Sequence, residues 1–246
     1  MSKIIKIATW NIGQDLKNNQ INKDSYKYIK EQIEENEIDI IAFQEAITES
    51  DNLEPLANYI SENTKLKYNE QISLSPSDIN ENDKMGVAIC SRFKISNNEK
   101  YILENPNLIY KKTDTVTYWS HDKGFNISEI EEIDTIVIGG HCLPFHIFGE
   151  TPLNYKKIYE KLEDEILNII EDKKKVILLG DFNYTYIFEL FLNLKDKMKC
   201  VYEDKNTRKD KQIDYILTTK NIKHNNYKII ETRFDHKLCV AELTID

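Results

Sequence analysis

Val176-Ile177-Leu178-Leu179-Gly180-Asp181-Phe182-Asn183 is the stretch that decides the fold of this chain. Four consecutive apolar residues with no polar alternation read as a strand buried on both faces. The run stops at Gly180, and a carboxylate and an amide follow, two residues apart. In an extended stretch residues i and i+2 face the same side. Asp181 and Asn183 are therefore expected to point into one space, with Phe182 turned back into the core. Polar groups just beyond strand ends are where open α/β sheets collect their ligands.

The same arrangement recurs along the chain. Ile4–Ala8 leads to Trp10-Asn11, the apolar run Ile38–Phe43 to Gln44-Glu45, and Ile136–Gly140 to His141. Asp235-His236 stands just ahead of the apolar run Leu238–Leu243. Asp214 lies inside the otherwise apolar Ile213–Leu217, where an unpaired charge would be costly. A histidine ring nitrogen suits such a carboxylate, so Asp214 is paired with His236; the alternative is an edge aspartate with a solvated histidine. His146 reads as a packing residue near Pro144 and Phe145, and His121 and His224 receive no role. A zinc site from His141 and His146 lacks a carboxylate or cysteine at suitable spacing.

Between these blocks, helices are expected over 22–36, Leu53–Glu62, Pro152–Asp172 and Tyr186–Leu194. The third is the clearest: Thr151 can cap it, Pro152 fits its first position, and Ile158, Leu162, Ile166 and Ile169 form one apolar stripe. Further strands are expected over Tyr68–Ile72, Gly86–Ser91, Thr115–Trp119, Phe125–Glu131, Thr135–Gly139, Gln212–Thr218, Tyr227–Thr232 and Leu238–Ile245. No repeat, Pro- or Gly-rich linker or low-complexity tract interrupts them. The expectation is one α/β domain over residues 1–246 with mixed sheets.

Composition sets bounds on function. Of 246 residues, 40% are hydrophobic and 30% charged, as in an ordinary folded protein, and the net charge is −9. Phosphate-backbone binding rests on Lys and Arg, so the negative balance argues against tight duplex binding except along a local basic track. Cys90, Cys142, Cys200 and Cys239 are scattered with no CxxC pair, which reads as reduced thiols in a cytoplasm. The first residues run straight into a strand pattern, and no apolar stretch approaches the ~20 residues that span a bilayer. A cytoplasmic protein without a transmembrane segment is expected.

Trp10-Asn11, Gln44-Glu45, Gly86-Val87-Ala88-Ile89, Gly140-His141, Gly180-Asp181-Phe182-Asn183, Ile213–Leu217 and Asp235-His236 stand in the order of the endonuclease/exonuclease/phosphatase superfamily. The chain resembles that family, which includes DNase I, abasic-site endonucleases, sphingomyelinases, inositol 5-phosphatases and deadenylases. The resemblance implies a four-layer α/β sandwich, with two mixed β-sheets packed face to face and helices outside. It also implies Mg²⁺, with Mn²⁺ as a substitute, on Glu45 with Asn11 beside it. By the same resemblance Asp181 orients or deprotonates the attacking water, Asn183 holds a phosphate oxygen, and His236, braced by Asp214, stabilises charge on phosphorus. Asp235 assists His236 or completes the metal site, and His141 helps the leaving oxygen. Three departures argue against abasic-site repair. Gly13 stands where those enzymes carry an Asp, His141 where they use a tyrosine, and Phe234 where a Ser commonly precedes Asp-His.

Substrate choice is expected to lie in the loops. Residues 105–123 interleave Tyr110, Lys111, Lys112, Tyr118, Trp119 and Lys123, and a second basic loop carries Lys205, Arg208, Lys209 and Lys211. Aromatic and basic residues interleaved suit stacking on bases and contact with phosphates; a solvated charged loop is the plain alternative. Tyr118, Trp119, Lys123 and Arg208 are the expected substrate contacts. The leading expectation is a nuclease acting on DNA. The rivals are hydrolysis of a small-molecule or lipid head-group phosphate, and a catalytically silent binding module.

Overall fold

The computed structural model describes residues 2–77, 80, 82–172 and 174–246. Along the chain run β1 (Lys3–Asn11), α1 (Lys23–Glu35), β2 (Ile40–Glu49), α2 (Leu56–Asn63), β3 (Tyr68–Pro76) and β4 (Lys84–Ser91). There follow β5 (Asn97–Ile102), β6 (Ile109–Lys111), β7 (Thr117–Trp119), β8 (Gly124–Ile130), β9 (Thr135–His141) and α3 (Lys156–Glu171). The last part holds β10 (Lys175–Asp181), α4 (Ile187–Leu190), β11 (Met198–Cys200), β12 (Asp214–Thr219), β13 (Lys223–Ile230) and β14 (Leu238–Ile245).

One six-stranded sheet has the order β13-β14-β1-β2-β4-β3 and the other β11-β12-β10-β9-β8-β5, while β6 and β7 form a small hairpin. Both large sheets are mixed: β1 pairs β2 and β9 pairs β10 in parallel, and the remaining neighbours are antiparallel. Side-chain alternation creates the layers. Ile5, Ile7, Ile40 and Ala42 meet Val137, Ile177 and Leu179 in the core between the sheets. Ala8, Trp10, Ile41 and Phe43 face the other way, onto Tyr26, Ile29 and Ile33 of α1 and Ile60 of α2. Val176 and Leu178 likewise face Ile158, Leu162 and Ile166 of α3. Three cores between four layers make the expected sandwich.

Several expected elements differ in extent. β2 runs past Glu45 to Glu49, because an irregular register between Gln44 and Ala46 lets pairing with β4 resume. The helix expected from Pro152 opens as a 3₁₀ turn, Pro152–Tyr155, with the Thr151 hydroxyl accepting from Leu153 N–H, and is α-helical only from Lys156. The helix expected over Tyr186–Leu194 is one turn, Ile187–Leu190, followed by the 3₁₀ turn Leu194–Asp196. β5, β6 and β11 were not expected, since β5 and β6 lie largely exposed with no apolar run to mark them. No helix among the described residues is long and apolar enough to cross a membrane.

Gly180 closes the fit between β9 and β10. Its φ is +153°, and a Cβ there would stand 2.0 Å from the Gly140 carbonyl oxygen. Gly180→Ala must push two paired strands apart. The expected cost is about 2–4 kcal/mol, read as a melting temperature lower by roughly 5–15 °C; an unchanged melting temperature would show that the strand contact is not needed.

Candidate active site

Sheet register brings the chemical side chains to one end of the sandwich. Asn11 pairs with Gln44 across β1 and β2. Asp181 lies between His141 on β9 and Asp214 on β12, in one rung of the second sheet. His236 precedes β14, and the indole N–H of Trp10 donates to its carbonyl at 3.3 Å. Glu45 and Asn183 both take left-handed backbone, with φ of 55° and 51°. Non-glycine residues hold that conformation only where the surroundings impose it, and such positions cluster at functional sites.

Asn11 links the two sheets. Its amide donates to Asp181 Oδ2 at 3.0 Å and to Glu45 Oε1 at 3.2 Å, and its own oxygen accepts from Gly13 N–H at 3.0 Å. The space beside Gly13 is filled by Glu45: a Cβ at 13 would lie 1.8 Å from Glu45 Oε2. Asp181 Oδ1 accepts from Asn183 N–H at 2.8 Å. Burial and the nearby charge of Asp214 raise the Asp181 pKa well above the ordinary carboxylate range.

His236 and Asp214 are both buried, and His236 Nδ1 lies 3.0 Å from each Asp214 oxygen. Burial alone would lower the histidine pKa, but the charges of Asp214 and Asp181 outweigh it and push the value up to about 9. His236 Nε2 is left facing Asp181 Oδ2 at 3.8 Å. Asp214 has its own supports: Thr207 Oγ1 accepts from its backbone N–H at 3.0 Å, and the Tyr202 hydroxyl donates to its carbonyl at 3.2 Å. His141 behaves in the opposite way. Its burial, with Lys123, His236 and Arg208 nearby, pulls its pKa well below the usual histidine value. It is neutral at pH 7, with Nδ1 3.3 Å from the Lys123 ammonium and Nε2 3.1 Å from the Asn183 amide.

A cavity of about 260 Å³ opens over this group. Of the twelve side chains named from the sequence, eleven line it: Asn11, Glu45, Tyr118, Trp119, Lys123, His141, Asp181, Asn183, Arg208, Asp235 and His236. Asp214 lies behind His236 and reaches the cavity only through it. The wall also holds His121 and His146, to which the sequence reading gave no chemical role, together with Gln14 and Phe148. His146 follows Pro144-Phe145, and the short 3₁₀ turn Phe145–Phe148 brings it over the site. Two histidines within five residues after a strand end was the available signal.

The donor set fits a hard divalent cation. Among the described residues Glu45, Asp122, Asp181 and Asp235 line the cavity against Lys123 and Arg208 as fixed cations, and oxygen ligands suit such an ion. Glu45, with 35% of its side chain open to the cavity, is the best placed ligand, and Asp181 adjoins it. Two details differ from the expected ligand set. Asn11 turns its NH₂ and not its oxygen toward the carboxylates, so it bridges them. Asp235 Oδ2 takes both the Nε and Nη2 donors of Arg208, at 3.0 and 2.7 Å, so Asp235 anchors that guanidinium. Asp181, Asp214 and His236 also form a tight group, with ligand atoms within 4.8 Å of one another. Both Asp214 oxygens lie 3.0 Å from His236 Nδ1, so these two buried groups already satisfy one another.

Comparison with known proteins agrees with this geometry. No curated protein sequence matches the chain. Among solved structures it is similar to an endonuclease/exonuclease/phosphatase from Bacteroides vulgatus, with a TM-score of 0.67, 16% identity, and coverage of 99% of this chain and 100% of that one. It is similar to the mannosyl-6-phosphatase of Bacteroides thetaiotaomicron, with a TM-score of 0.66, 15% identity, and coverage of 97% and 99%. The 3′ phosphatase NExo from Neisseria, bound to a product DNA hairpin, gives a TM-score of 0.65 and 15% identity, with coverage of 98% and 99%. At such identities the likeness is one of fold. The sequence model described as the Endonuclease/Exonuclease/phosphatase family matches residues 8–231, and the chain therefore belongs to that family of phosphoester hydrolases.

Proposed function

We propose that the chain is a Mg²⁺-dependent phosphodiesterase, with Mn²⁺ as a substitute ion, that cleaves nucleic acid and DNA by preference. The observation that carries this reading is the rim of the cavity. Tyr118, the 58% exposed Trp119, Lys123 and Arg208 stand beside the carboxylate and histidine floor. Aromatic faces accept bases and the cations accept phosphates. The four cysteines are free, which favours a reducing cytoplasm. Residues 1–246 are taken as one domain.

Glu45 would hold the metal ion, which when bound supplies positive charge against the phosphate oxygens. Asp181 accepts a hydrogen bond from the attacking water and takes its proton; its raised pKa suits a general base near neutral pH. Asn183, whose amide rests on the Cys142 carbonyl at 3.0 Å and on His141 Nε2 at 3.1 Å, would exchange one of these contacts for a phosphate oxygen. His236, charged and fixed by Asp214, donates Nε2–H to the oxygen on which negative charge grows. His141, with Lys123 behind it, faces the leaving oxygen. No covalent bond to the protein is needed.

A second reading has its own observation. Among the described residues the cavity is lined by four carboxylates and two fixed cations, and the chain carries a net charge of −9. Such a surroundings tolerates a small-molecule or lipid head-group phosphate more readily than a long polyanion. Solved structures of this fold include both a sugar phosphatase and a phosphatase bound to DNA, so the fold alone does not choose.

Two measurements test the proposal. Plasmid nicking with Mg²⁺ should vanish with EDTA and fall by at least about 10³-fold in Asp181→Ala. Phosphate release from small esters, with DNA left intact, would establish the second reading instead. Asp214→Asn removes the charge that holds His236 protonated, so the His236 pKa should fall. The alkaline limb of the kcat–pH profile then moves to lower pH by about 1–3 units. A slower variant with its limb unmoved would dissociate Asp214 from His236 protonation.

A further inference from the structure

A second cleft, of about 420 Å³, adjoins the catalytic cavity, and the two share His146, Asn183 and Arg208. Its remaining walls come from Glu150, Thr151 and Pro152, ahead of α3, and from two loops. One follows β10 and carries Tyr184 and Tyr186; the other precedes β12 and carries Lys209, Asp210 and Lys211.

Both loops are held in place. Arg208 and Lys211 exchange backbone hydrogen bonds of 3.1 and 3.0 Å across a tight turn, with Lys209 in left-handed backbone at φ 50°. Thr207 ties the turn to the strand that carries Asp214, since its hydroxyl accepts from the N–H groups of Ile213 and Asp214 at 3.0 Å each. On the other wall the Tyr215 hydroxyl donates to the Thr185 carbonyl. The Tyr184 hydroxyl donates to Glu189 at 2.6 Å, and its ring meets Tyr186 edge-on with centroids 6.0 Å apart. Tyr186 keeps 63% of its surface exposed.

Among the described residues the cleft's cations outnumber its carboxylates by one. Arg208, Lys209 and Lys211 line it against Glu150 and Asp210. Lys209 and Lys211 are exposed, and among the described residues neither has a carboxylate at ion-pair distance. Arg208 is the wall between the two spaces, aimed by Asp235 on the catalytic side. Partial burial and the charges of Arg208 and Lys211 lower the pKa of His146, beside it. A single phosphorylated sugar would fill the catalytic cavity and leave this cleft empty. A strand that alternates phosphates and bases would use both its cations and its aromatic ring.

We propose that the cleft is a subsite for the nucleotide next to the scissile phosphate, with Lys209 and Lys211 on its backbone phosphate and Tyr186 stacked on its base. This rests on the nuclease reading above, and Arg208 then bridges the two neighbouring phosphates.

The test uses the whole chain with Mg²⁺ and two substrates, a short single-stranded DNA oligonucleotide and bis(p-nitrophenyl) phosphate. The variants are the double substitution Lys209→Ala, Lys211→Ala, and Tyr186→Ala. Each should raise KM for the oligonucleotide about tenfold with little change in kcat, and leave hydrolysis of the small diester unchanged. The salt dependence of log kcat/KM should also flatten, by about 0.7 in slope per lysine removed. Equal KM and equal salt slope in wild type and variants would overturn the subsite while the nuclease reading stands. A wild type that hydrolyses the small diester but no oligonucleotide would overturn both.

Discussion

Everything at the site depends on the register of three adjacent strands. β9, β10 and β12 place His141, Asp181 and Asp214 in a single rung, so that one buried carboxylate stands between a histidine and a second carboxylate. A slip of one residue would turn each of these side chains to the opposite face of the sheet. Gly140 and Gly180, paired in the rung before, allow the close approach that fixes this register. Asn11 then binds the rung to the first sheet by its bonds to Asp181 and Glu45.

Two carboxylates and two histidines, all buried, would be a destabilising collection if each were left alone. The arrangement separates their protonation states. Asp214 keeps His236 charged, while burial and neighbouring cations keep His141 neutral. Two identical rings within one cavity thereby hold different charges. A net negative excess remains around Glu45, and it is this excess that a divalent cation would offset.

Much of this was legible from residues. The run Val176–Leu179 with Asp181 and Asn183 gave the strand and its polar end, while the four layers followed from the family resemblance and their three cores are seen only in the fold. The pairing of Asp214 with His236 followed from the cost of a charge inside an apolar strand. What escaped was set by tertiary contact. β5 and β6 are held by neighbours with no apolar pattern of their own, and the irregularity at Glu45 appears only when β2 is paired with β4. The expected ligand roles of Asn11 and Asp235 could not be refined from type alone. Which atom of Asn11 faces Glu45, and that Arg208 meets Asp235 across 27 positions, are matters of folded geometry.

Glu45 and Asn183 both sit in backbone conformations that neither would choose in a free chain. Their side chains are aimed by a cost the sheets impose, and no short segment containing either one would retain its aim. The bond from Asn11 to Asp181 spans 170 positions of the chain and exists only once the two sheets have met. The complete site therefore requires both sheets, although the rung of His141, Asp181 and Asp214 belongs to the second sheet alone.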